Sequence, residues 1–303
     1  MSLMPVVVDA QRADAQCLGA RSQRQSPRHT NVRYSRDVAL TGVELVLQGR
    51  RGAVEVSRVT DSLTKTVGLL HEIDKFYAYR IPRLKWVVQE AELETEQIRF
   101  IITPREVPRR RNEESAAVPA RALVEGVEVL HDRAEIPPFF GPSSVERVAD
   151  LATPGRGVHG VSIRTFNGAT QDLVSLDTDV ITHARSAVTG KTTSLGSVVG
   201  MLDVISLRRR PRAAIFDPSS RRAVSIYFEA TRLEEIKGLL GKRVLAGGPL
   251  TRNDLGQAVQ LRLEIIEEFA APRPDIDALT GLEPDWTGGV NIDEWVAAGR
   301  RES

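Results

Sequence analysis

The sequence predicts an α+β N-terminal domain followed by a small β-barrel, with flexible N- and C-terminal arms. Three observations carry this expectation. Residues 37–188 interleave helix-period apolar stripes with short β-branched runs. Residues 196–269 read as strands and one helix in the order β-β-β-α-β-β. The two ends of the chain lack hydrophobic periodicity and carry opposite charge.

A chain of 303 residues suits about two domains, at roughly 100–200 residues per domain. Hydrophobic residues at 41% and charged residues at 27% are ordinary for a globular protein, and a net charge of +1 advertises no polyanionic partner for the whole molecule. Residues 1–36 hold six Arg against Asp9 and Asp14 and read as a disordered basic arm. Residues 270–303 hold three Arg against seven acidic residues and read as an acidic arm. Such ends suit separate partners, pairing with each other, or plain solvation. The single Cys17 excludes an intrachain disulfide framework and any multi-cysteine metal site. No apolar run approaches the length of about 20 residues that spans a bilayer. The patch Pro5–Val8 lacks the basic flank of a signal peptide, so a cytoplasmic location without a membrane partner is expected.

Along the first domain, Val43–Leu47 reads as a strand closed by Gly49. Val56, Val59, Leu63, Val67, Leu70 and Ile73 recur at helical spacing and mark one buried helix face. Leu84–Leu93 and Ile98–Thr103 form a hairpin around Glu94–Gln97. Arg109–Ser115, set between Pro108 and Pro119, reads as an exposed polar loop, and Ala120–His131 returns to helix. Ser143 or Ser144 caps a further short helix to Leu151. Strands near Val158–Phe166 and Asp172–Leu176 flank an Asn167-Gly168 turn, and Thr178–Val188 is a helix. Residues 189–195 read as a linker.

The second domain has a cleaner pattern. Ser197–Leu207 is a strand opened by Gly196, with Gly200 placed to let it bend. Ala213–Phe216 and Ala223–Phe228 follow, joined by Asp217-Pro218-Ser219-Ser220, a turn set by the proline and by side chains that bond their own backbone. Thr231 and Glu234 match a capping box, and Gly241 stops the helix they begin. Arg243–Leu250 and Ala258–Phe269 complete the strands.

This element order resembles the OB fold, a five-stranded barrel with a helix between its third and fourth strands; the likeness rests on order and glycines and supplies no functional residues. The stretch Gly196–Asp217 with Arg243–Gly247, and the tail Leu282–Trp295, also resemble a group of uncharacterised bacterial proteins. Neither likeness implies an activity.

Motifs for catalysis are missing or misplaced. Gly190-Lys191-Thr192 looks like the end of a phosphate-binding loop, yet Arg185 stands where that loop needs glycine, and the preceding segment is helical rather than a strand. His29, His71, His131, His159 and His183 are scattered without a ligand three or four residues on, so no metal site is expected. Glu90, Glu92, Glu94 and Glu96 alternate along the hairpin, which suits an exposed edge that resists further pairing better than acid–base work. No Gly-x-Ser-x-Gly elbow occurs. The sequence therefore leans away from an enzyme and implies no catalytic residue and no cofactor, although an unrecognised site in the first domain stays open.

Two binding surfaces stand out. Arg208, Arg209, Arg210 and Arg212 fill the loop between the first two barrel strands, and Arg221 and Arg222 lie in the next turn. In an OB barrel the first of these loops borders the face that takes oligonucleotides, so Phe216 and Tyr227 would offer rings for base stacking. Against that, Phe216 suits the core and the arginines suit plain solvation; residues 196–269 hold twelve basic and nine acidic residues, a modest excess. The second surface is the acidic arm. Trp286, Ile292, Trp295 and Val296 are its apolar anchors, with Asn291 capping a short helix. Apolar anchors on an acidic arm resemble the tails of bacterial antitoxins that wrap a toxin. The leading expectation is thus a binding protein with a protein partner, plausibly toxin-like; the alternative is a nucleic-acid-binding protein.

Overall fold

The computed structural model describes residues 40–78, 81–167, 172–207 and 210–270, together with Asn291 and Glu294. Within them the chain is a mixed α/β protein with two sheets and five α-helices. Strand β1 (Gly42–Gln48) is the centre of the first sheet; Val43, Leu45 and Leu47 enter the core on one face, while Glu44 lies on the other. Helix α1 (Val56–Tyr77) follows.

The buried line of α1 differs from its apolar stripe. Arg58, Ser62 and Thr66 are buried with Leu69, Leu70 and Ile73, whereas Val56 is 81% exposed. For Arg58 and Thr66 the reason is that their polar groups find partners in place, whereas the Ser62 hydroxyl has none among the described residues. The Arg58 guanidinium donates to the carbonyls of Leu151 and Thr153, both at 2.8 Å, and Thr66 Oγ1 donates to Ser62 O. A hydrogen-bonded polar group tolerates burial where an unpaired one does not. Val59, Leu63 and Val67 pack at the margin of the same core.

Strands β2 (Trp86–Leu93) and β3 (Gln97–Pro104) form the expected hairpin. Helix α2 (Glu113–Asp132) starts earlier than its sequence suggests and carries Pro119 inside it. Asn112 caps it by accepting from the Ser115 N–H at 2.8 Å. Proline has no N–H, so it leaves the carbonyl four residues back unserved. That carbonyl belongs to Ser115, and it accepts from the Arg111 guanidinium at 2.9 Å. Arg111, expected in an exposed loop, is consequently buried, with its guanidinium on Asp74.

Helix α3 (Pro142–Ala152), strands β4 (Gly160–Phe166) and β5 (Val174–Ser175), and helix α4 (Thr178–Val188) complete this half. Asp177 caps α4 by accepting from the Asp179 and Val180 N–H groups. The sheet runs β2-β3-β1-β4-β5, antiparallel throughout, and the four helices share one core with it.

The second sheet begins sooner than expected. Strand β6 (Thr192–Ser206) takes in the presumed linker residues 192–195, which pair with the far end of a later strand. Strands β7 (Arg212–Asp217) and β8 (Arg222–Tyr227) follow, and Asp217 accepts from Ser219 and Ser220 across their turn. Burial raises the Asp217 carboxyl, but those hydrogen bonds outweigh it and hold the group below 3.8. Thr231 lies in a 3-10 turn before the short helix α5 (Leu233–Gly238), whose first residues have no side-chain cap, so the capping box does not form. Strand β9 (Arg243–Arg252) returns along β6.

The last predicted strand divides in two. Strand β10 (Ala258–Arg262) runs parallel to β8 and antiparallel to β9, and β11 (Ile265–Glu268) pairs with β9 alone. The sheet is ordered β10-β8-β7-β6-β9-β11, with a further β10–β9 pairing. Gly200 sits where β6 changes partner from β9 to β7, and a Cβ there would meet the Phe216 carbonyl oxygen at 2.2 Å. Only glycine allows that approach.

Candidate nucleic-acid interface

Inward residues of the second sheet, among them Leu202, Ile215, Ile226, Val244 and Leu261, make its own core. Because side chains alternate along a strand, Arg212, Ala214 and Phe216 of β7 share the outward face, beside Tyr227, Ser225 and Ala223 of β8. The first half of the molecule covers one end of that face. The Phe216 ring stacks on Phe76 of α1 at 4.7 Å with planes 8° apart and is buried, and Gly141 approaches Ala223 so closely that a Cβ would meet its methyl group at 2.9 Å.

Among the described residues nothing covers the other end. Tyr227 lies opposite Arg212 on one side and Arg262 of β10 on the other, and the Arg210 guanidinium sits 5.1 Å above its ring. The next row inward, Ala214 and Ser225, is small, with Gln260 beside it. Arg210 and Arg212 have no carboxylate partner among the described residues; Arg262 has only a distant one, Glu264 at 3.9 Å. Guanidiniums around a half-exposed ring, over a flat floor, can meet phosphates while the ring takes a base.

The sequence-predicted residues are therefore divided. Arg210, Arg212 and Tyr227 come together, and Arg262, which sequence reasoning missed, joins them through the parallel β8–β10 pairing. Phe216 is not presented to a ligand, since its ring is taken by Phe76. Arg222 donates to the Ile136 carbonyl and to Glu135, and Arg221, at φ 55°, lies over the Phe139 ring, so both serve the contact between the two halves. Arg208 and Arg209 lie outside the described residues, as do Trp286, Ile292, Trp295 and Val296.

Other clusters explain themselves. Lys191 of the nucleotide-loop look-alike faces Asp254 at 3.6 Å, and Thr192 opens β6, where it pairs with Arg252. Glu90 and Glu92 are about half exposed and held by Arg99. His131, Asp177 and Asp179 bring ligand atoms within 4.8 Å of one another, but Asp177 is occupied in capping α4. The hydrogen bond to Asp132 chiefly, and Asp177 after it, raise the His131 imidazole above 6.5. A raised histidine contributes stability that is complete below its unfolded pKa and is lost as pH climbs through the folded one. Proton-detected titration is expected to place the His131 midpoint above 6.5, and Asp132→Asn to lower it.

No helix among the described residues is long and apolar enough to cross a membrane. Comparison with protein-family models matches none to this chain. Comparison with curated protein sequences likewise returns no relative.

Proposed function

We propose that the second sheet is an OB-like barrel that binds single-stranded nucleic acid on the outward face of β7, β8 and β10. The observation that carries this reading is the Tyr227 ring, set between Arg212 and Arg262 and covered by Arg210. The strand neighbours support the barrel: β6–β7–β8–β10–β9–β6 is a circuit of five pairings, with β8 and β10 parallel. The test is fluorescence anisotropy with a labelled 12-nucleotide strand across a salt series. Counterion release gives a slope of about 0.7 per phosphate contacted on a single strand, so the triple variant Arg210→Ala, Arg212→Ala, Arg262→Ala is expected to flatten the log K against log salt plot by about 2. A salt-independent affinity, or a slope unchanged in the triple variant, overturns the reading.

A second reading concerns the acidic arm, which holds two of the three tryptophans of the chain. We propose that Trp286, Ile292, Trp295 and Val296 anchor a protein partner of toxin-like kind, since tryptophan is enriched among residues that dominate interface energy. Replacement of Trp286 and Trp295 by alanine is expected to abolish co-purification of that partner; retention of the partner counts against the arm.

A further inference from the structure

The first half of β6 uses only one of its two edges. Thr192–Met201 pair with β9, and β7 joins the other edge only from Met201, opposite Phe216. Hydrogen bonds fix which residues point where. The Phe269 N–H donates to Arg243 O on the β11 side, and the Leu202 N–H donates to Lys242 O. In an alternating antiparallel ladder, Val244, Ala246, Gly248 and Leu250 therefore turn their backbone groups toward β6 and meet its even-numbered residues. Leu195, Ser197 and Val199 direct their N–H and C=O groups the opposite way, and among the described residues nothing receives them.

That edge walls an open groove of about 900 Å³. Its floor is apolar, with Val198, Val224, Leu250 and Ala258, and the 217–220 turn and 255–257 loop form the far side. Arg243 and Arg252 stand at its two ends, the first and last residues of β9. Nine steps of extended chain span roughly 30 Å. Neither arginine has a carboxylate partner among the described residues: Arg243 lies 5.0 Å over the Phe269 ring, and Arg252 donates to Gly256 O. An unpaired strand edge beside a partly apolar groove is the setting in which an extended segment adds as a further strand.

We propose that this groove is a strand-addition site whose occupant is the acidic segment Asp275–Asp285 of the same chain. Three facts select it. The chain leaves β11 through Phe269, whose ring lies 5.0 Å from the Arg243 guanidinium at one end of the groove, so a segment that entered the groove from there would run antiparallel to β6. Asp275-Ile276-Asp277-Ala278 alternates charge with apolar side chains at strand period, giving one row for the floor and one for the rim. Charge is complementary, since residues 275–294 hold six carboxylates and no basic side chain. Tethering adds an effective concentration in the mM range for short linkers. The site is independent of the Tyr227 face and leaves the oligonucleotide reading unaffected.

Residue-resolved hydrogen exchange on the full chain tests the proposal, run at two protein concentrations. The amides of Leu195, Ser197 and Val199 are expected to exchange at least about tenfold more slowly than in the Asp275→Lys, Asp277→Lys variant, with no concentration dependence. Arg252→Glu should lose protection at Leu195. Three results overturn the proposal. The first is fast exchange in the unaltered chain, and the second is protection untouched by the charge reversal. The third is protection that rises with concentration, which assigns the groove to a second copy. Protection that appears only on adding an unrelated acidic peptide also counts against the proposal, because the tethered segment would have occupied the groove first.

Discussion

Replacing Asp74 by alanine is expected to destabilise the protein by about 3–5 kcal/mol, the cost of stranding a buried charge. Asp74 and Arg111 are both 0% exposed at their side chains and meet at 2.6 Å. The second carboxylate oxygen of Asp74 accepts from the Leu84 N–H at 2.9 Å, so the same side chain holds the entry to the β2 hairpin. Alanine removes both interactions and leaves Arg111 with carbonyl partners alone, those of Ser115 and Pro82. Equilibrium urea unfolding checks the size. The double variant Asp74→Leu, Arg111→Met is expected to recover a large part of the loss, because a buried pair exchanged for apolar residues of similar volume is often close to neutral. Removing Lys237, which pairs with Glu234 on the surface, should change stability by less than about 1 kcal/mol. If the Asp74 and Lys237 variants behaved alike, the pair could not be the clamp inferred from its burial.

Phe216→Ala is expected to cost about 3–5 kcal/mol, the usual range for truncating a buried phenylalanine. Its ring is the plate on which Phe76 stacks, with Lys75 and Asp203 paired at 2.6 Å beside it, so the loss falls on the seam between the two halves of the molecule. The same substitution should leave the salt slope of oligonucleotide binding unchanged. Tyr227→Ala should do the reverse: weaken oligonucleotide binding by about 1–3 kcal/mol, a base-stacking loss, while shifting the unfolding midpoint little. Measuring stability and affinity on both variants separates core from surface. A salt slope that fell in Phe216→Ala would return that ring to the binding face.

Much of the fold was legible along the chain because its causes are local. Helix α4 could be read from Asp177 and the spacing of Val180, Ala184 and Ala187. The β7–β8 turn followed from Asp217-Pro218-Ser219-Ser220. Legibility failed where a distant group changed the local balance. Pro119 read as a boundary, but Arg111 serves the carbonyl it orphans and the helix runs through it. Nothing in the local pattern marks Arg58 for burial, but the end of α3 gives its guanidinium two carbonyls. Residues 192–195 read as linker because Thr-Thr-Ser-Leu shows no alternation of apolar and polar residues; they are a strand because β9 lies alongside.

The candidate site divides the same way. The sequence by itself determined that Arg210, Arg212, Arg221 and Arg222 flank the strands carrying Phe216 and Tyr227, since strand period and turn chemistry act within a few residues, but Arg212 and Arg222, expected in loops, open β7 and β8. Only the tertiary structure decided which of them have a partner among the described residues. Arg222 is taken by Glu135, 87 residues away, and Phe216 by Phe76, while Arg262 arrives beside Tyr227 through a parallel pairing that no local pattern encodes. Apart from the division of its last strand, the element order of the second sheet was written in the chain; its strand neighbours, and with them the row of guanidiniums around Tyr227, depend on contacts between residues far apart in sequence.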